Sequence, residues 1–89
     1  MSSVLELGPL DRSSSRPVFR ASADGVDFLV ELDSSALRKL RRNDATDWRA
    51  AVDAERGRIR AAAQDLYNGG FLTDAGDGPR LFITAIDIV

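Results

Sequence analysis

The chain contains no cysteine and no histidine, and lysine occurs once among its twelve basic residues. The lack of cysteine excludes a disulfide framework, a thiolate nucleophile, a thiolate zinc site and iron–sulfur ligation. The lack of histidine removes the side chain that most often moves protons near neutral pH and most often binds transition metals. Any catalysis would draw on carboxylates, arginines, hydroxyls, Tyr67 or Lys39. No apolar run approaches the roughly 20 residues that span a bilayer. The first ten residues lack the basic region, apolar stretch and small-residue cleavage pattern of a signal peptide. The expectation is a cytoplasmic protein with no membrane partner, no cofactor and no catalytic or metal site.

What is present fits one small folded unit. The 89 residues are 44% hydrophobic and 29% charged, proportions that argue against global disorder. A chain of this length buries only roughly 60–65% of its extended surface, which predicts a small core and marginal stability. The net charge of −2 gives no general attraction to nucleic acid or anionic membrane.

Residues 1–16 read as a flexible segment with room for one short strand at 4–7, ended by Gly8-Pro9 and followed by a polar linker. Residues 17–89 read as a single α+β domain. Its clearest local feature is Asp24-Gly25, a pair suited to a type I′ turn because both residues tolerate positive φ. Pairing outward sets Ala23 against Val26, Ala21 against Phe28, Phe19 against Val30 and Pro17 against Leu32, all on one apolar face. The opposite face collects Val18, Arg20, Ser22, Asp27, Leu29 and Glu31.

Asp33-Ser34-Ser35 offers N-caps for a short helix ending at Arg41-Arg42. The spacing then predicts one long amphipathic helix over 46–67. Its apolar stripe is Trp48, Val52, Ile59, Ala62, Ala63 and Leu66, flanked by Ala51 and Tyr67, with Gly57 opposite and without evident purpose. A turn cluster from Asp74 to Pro79 leads to a terminal strand over 80–89. That strand is apolar on both faces, Phe82, Ile86 and Ile88 on one and Leu81, Ile83 and Ala85 on the other. The expected architecture is an N-terminal β-hairpin, a short helix, a long helix and a C-terminal strand, in one antiparallel sheet packed on the helices.

This order of features resembles the small uncharacterised bacterial family called domain of unknown function 1488. The resemblance rests on Val18-Phe19 leading to Asp24-Gly25, on Leu37 and Leu40, and on Trp48, Val52, Arg56, Ile59, Ala62 and Leu66. It ends in the terminal strand and covers most of residues 17–87. It implies an α+β fold of hairpin and helices, in a family with no assigned biochemical role and no catalytic signature. Where this chain has Glu55, similar proteins often carry histidine, a difference that weakens any shared proton-transfer role at this position.

Two clusters invite chemistry. Glu55 falls near the middle of the long helix's apolar stripe and Arg56 at its edge, which suggests a buried ion pair of the two, or one of Glu55 with Arg20 on the hairpin. Arg38, Lys39, Arg41 and Arg42 form a basic cluster that suits either a helix C-terminus or a phosphate-bearing partner. No aromatic residue interleaves that cluster, so stacking of single-stranded bases is unsupported. Asp74 and Asp77 lack the spacing of a calcium loop, and Gly76 and Gly78 are followed by no lysine-serine or lysine-threonine pair.

Three functions follow as expectations. The leading one is a non-enzymatic interaction or regulatory module that binds a protein partner or itself, forming a homodimer through the terminal strand at Leu81, Ile83 and Ala85. The second is nucleic-acid or phosphate-ligand binding through Arg38, Arg41 and Arg42. The third is a small carboxylate-based enzyme built on Glu55, Arg56 and Tyr67, which requires a pocket joining the three.

Overall fold

The computed structural model describes residues 4–11, 15–41, 47–74, 76 and 78–88. Five strands and three helices follow in the order β1 (Glu6–Leu10), β2 (Val18–Ala23), β3 (Val26–Leu32), α1 (Ser34–Leu40), α2 (Trp48–Ala54), α3 (Arg56–Asn68), β4 (Thr73–Asp74) and β5 (Pro79–Ile83). A short 3-10 turn, Ala85–Asp87, follows β5. The strands form one mixed sheet in the order β1-β2-β3-β5-β4.

The hairpin takes the expected register. Asp24 and Gly25 have φ of 55° and 76°, and Ala23 pairs with Val26, Ala21 with Phe28 and Phe19 with Val30. The Leu32 N–H then donates to the Pro17 carbonyl at 3.0 Å. This parity puts Phe19, Ala21, Ala23, Phe28, Val30 and Leu32 in one buried cluster with Ala36, Leu40, Val52, Ile59, Ala62 and Ala63 of the helices, and Trp48 packs against it. Each large side chain buried there contributes roughly 1.5–3 kcal/mol relative to exposure.

Four expectations change. The sheet is mixed, not antiparallel: β5 runs parallel to β3, with Val30 beside Leu81 and Leu32 beside Ile83. The intervening helices form a crossover, and a crossover returns the chain to the same end of the sheet. The long helix over 46–67 is two helices. At Glu55, with φ −108° and ψ 23°, the amide donates to the Val52 carbonyl, three residues back, and α2 ends. The break lets α2 pack on α1 while α3 lies against β5 and β1, which one straight rod does not allow.

The N-terminal segment supplies a strand that runs through Gly8-Pro9. A shift of register between Leu7 and Leu10 absorbs the glycine–proline pair, and proline is tolerated on an edge strand. Leu5 and Leu10 enter the core. The Arg56 guanidinium holds the strand in place, donating 2.8 Å bonds to the carbonyls of Leu7 and Gly8, and the Leu5 amide donates to Gln64 Oε1 at 2.7 Å. The terminal strand, finally, stops at Ile83. The Thr84 amide and hydroxyl both donate to Asp87 Oδ2, at 2.9 and 3.0 Å, folding the chain into the 3-10 turn.

Candidate functional site

The helices cover only one face of the sheet. On the other, strand register builds a small lattice. One row runs Val18, Glu31, Phe82; the next Arg20, Leu29, Arg80; the third Glu6, Ser22, Asp27. Two apolar side chains stand among the charges, Leu29 half-buried and Phe82 45% exposed.

The first row is tightly organised. Glu31 is only 8% exposed, and its carboxylate accepts a 2.5 Å bond from Arg80 Nη1 while Arg16 Nη1 lies 3.7 Å away on the solvent side. Such a desolvated carboxylate needs paired cations, and the charge-assisted bond supplies one. Val18, only 6% exposed, sits beside Glu31 in the register. This corner is thus fixed from within the chain.

The remaining rows are open. Where β3 extends beyond β5, a groove of about 470 Å³ lies between Arg20, Asp27 and Leu29 on one side and Gly78 and Pro79 on the other. A shallower depression of about 230 Å³ continues it across Glu6, Gly8 and Ser22, sharing Arg20 and Asp27. Arg20 and Asp27 are both exposed. Gly8 permits this surface, because a Cβ there would lie 2.9 Å from the Arg20 carbonyl oxygen.

The residues singled out in the sequence fall elsewhere. Leu81 and Ile83 are fully buried within the subunit, so they do not face a partner. β5 is an internal strand between β3 and β4, and its doubly apolar pattern reflects that position. Ala85 lies in the 3-10 turn, where its amide donates to Ser35 Oγ at 3.1 Å. Homodimer formation through a free C-terminal strand therefore loses its basis.

Glu55 and Arg56 do not pair. Glu55 meets Arg58 at 3.5 Å, and Arg56 reaches the β1 carbonyls with its guanidinium 5.4 Å from the centre of the Phe19 ring. Tyr67 lies eleven residues beyond Arg56 on α3, about 16 Å along the axis. Its hydroxyl donates to Asp24 Oδ2 at 2.8 Å and its ring stacks on Phe28. The three side chains share no pocket.

The basic cluster is divided. Lys39 Nζ donates to the carbonyls of Ala85 and Ile88 at 2.9 and 2.6 Å, so it fastens the end of the chain. Arg38 is exposed, Arg41 is the half-buried C-cap of α1, and Arg42 lies outside the described residues. Asp74 accepts from the Gly76 amide at 3.0 Å in a plain turn, and Asp77 lies outside the described residues.

The titrations of Asp33 and Tyr67 are displaced, away from the open face. Hydrogen bonds from the Ser35 hydroxyl and then the Ala36 amide hold the Asp33 carboxyl below its ordinary value. The bond to Asp24 holds the Tyr67 phenol above its ordinary value. Among the described residues no group of three acidic side chains is arranged to hold a metal ion, and no helix is long and apolar enough to cross a membrane.

The open face was missed in the sequence because a polar hairpin face ordinarily means solvent. The signal was Leu29, an apolar side chain among charges, with Phe82 of the same parity on its neighbouring strand. Comparison with protein-family models, with curated proteins and with solved structures gives no match for this chain.

Proposed function

We propose that the protein is a non-enzymatic interaction module that docks a folded protein partner on the open face of its sheet. The observation that carries this reading is the diagonal pair Leu29 and Phe82, apolar and accessible on the uncovered face, bordered by Arg20, Asp27, Glu31 and Arg80. An apolar centre inside a charged rim of both signs is the pattern of a protein interface. A polyanion such as nucleic acid would instead require a surplus of cations. The family reading, domain of unknown function 1488, belongs to the same proposal. The positions on which it rests include the Asp24-Gly25 turn and the core residues Val52, Ile59 and Ala62.

The test is a photo-crosslinking amino acid placed at position 82 of the chain in its native cells. Adducts with protein at 82, absent when the same group replaces the exposed Arg38, support the reading. No protein adduct at 82, or equal adducts at both positions, overturns it.

A further inference from the structure

We propose that the occupant of the open face is a second copy of the chain, joined back to back about a two-fold axis so that Arg20 of each copy meets Asp27 of the other. The inference rests on the docking surface proposed above and names its partner.

Charge balance is the first support. The face mixes both signs, Arg16, Arg20 and Arg80 with Glu6, Asp11, Asp27 and Glu31, on a chain whose net charge is −2. A face built for an acidic or basic partner would be lopsided. A self-complementary face has to match itself, and a two-fold interface presents the same patch from both sides.

Position is the second. At one corner of the face Arg16 and Arg80 meet Glu31. Arg20 and Asp27 stand exposed beside the groove. Leu29 lies directly opposite Arg20 across the strand pair and two residues from Asp27 on the same face. A two-fold axis in the plane of the interface that exchanges Arg20 with Asp27 therefore passes beside Leu29. The two Leu29 side chains meet at the centre, and two Arg–Asp pairs flank them. An apolar centre with charges around it is the arrangement that excludes water from a small interface.

Size and edges are the third. Five strands at about 4.8 Å spacing, the longest the seven-residue β3, give a face of at most about 19 by 23 Å. Its accessible area exceeds that projection, so two copies approach the ~1,200 Å² total at which specific interfaces begin. The sheet's edges, by contrast, are blunted, with Pro9 in β1 and only two residues in β4. These edges disfavour strand addition and leave the face as the broader surface for association.

The test is sedimentation of the full chain at low salt, up to about 200 µM. A monomer–dimer equilibrium is expected. Arg20→Asp or Asp27→Arg alone sets like charges against each other twice and weakens the dimer about tenfold or more, and the two together restore it to within about threefold. Because the chain has no cysteine, Leu29→Cys gives a readout independent of these variants: mild oxidation links two copies at the axis, whereas Arg38→Cys does not. A monomer throughout, or a dimer indifferent to the charge reversals and unlinked at position 29, overturns the inference. A monomeric chain that still forms adducts with another protein at position 82 overturns this inference alone. A monomeric chain with no adducts there overturns the docking surface as well.

Discussion

The Tyr67 hydroxyl donates a 2.8 Å hydrogen bond to the Asp24 carboxylate and so ties the last turn of α3 to the tip of the hairpin. The nearby negative charge disfavours the phenolate, which places the folded pKa above the ordinary 10.0. A group raised on folding contributes stability that is complete below its unfolded pKa and lost as pH rises through its folded pKa. Thermal unfolding followed from about pH 8 to about pH 11 should show this loss in the wild type. Tyr67→Phe should melt lower at the acid end and lose less on the way up. Parallel curves for the two proteins would refute the assignment.

Two glycines should respond to alanine with opposite signs. At Gly8 a Cβ would come within 2.9 Å of the Arg20 carbonyl oxygen, which is backbone and cannot swing aside. Gly8→Ala should cost about 1–3 kcal/mol. At Gly57 a Cβ meets nothing within 4 Å, and the residue sits in α3. Gly57→Ala should add about 0.5–1 kcal/mol. Urea unfolding midpoints of the two variants measure both effects.

Asp33 caps α1 by accepting from the Ala36 amide at 2.8 Å and from the Ser35 hydroxyl at 2.6 Å. Asp33→Ala should cost about 1 kcal/mol at neutral pH. The carboxyl is held below 3.8, so its contribution is present above that pH and lost as pH falls through the lower folded value. Asp33→Asn keeps an acceptor and should unfold with less acid sensitivity. Tm measured between about pH 2.5 and 6 distinguishes the three proteins.

Adjacent residues of β5 should differ sharply. Leu81→Ala opens a cavity in the core and should cost about 2–4 kcal/mol. Phe82→Ser, on the open face, should change the stability of the monomer by less than about 1 kcal/mol. Comparable losses at the two positions would mean that the open face is covered from within the chain.

Local chemistry was legible in the sequence, and long-range pairing was not. Asp24-Gly25 set the hairpin register because turn type and side-chain parity agree over few residues. The stripe through Val52, Ile59 and Ala62 was legible even though the helix breaks, since a break of one residue leaves the apolar period nearly intact. The parallel pairing of β3 with β5 depends on how the helices lie between them, which periodicity does not encode. Gly8-Pro9 read as a stop because the bulge that accommodates it is formed with β2, far along the chain. Thr84 and Asp87 carried a readable capping signal, but the run of β-branched residues around them outweighed it. Apolarity marked Leu81 and Ile83 as needing cover without saying whose. The candidate surface was harder still, because Leu29 and Phe82 become diagonal neighbours only once β5 is in place.

The central position of β5 also shapes how the molecule comes together. Hairpins close within microseconds, so β2 and β3 are expected to pair early. The other flank of β3 then stays bare until the helical crossover has formed and delivered its neighbour. During that interval an unpaired row of amides and carbonyls is exposed, the template on which strands of other molecules nucleate aggregates. Substitutions that delay the helices, such as a proline in α3, should therefore lower the yield of refolding at high protein concentration more than at low concentration.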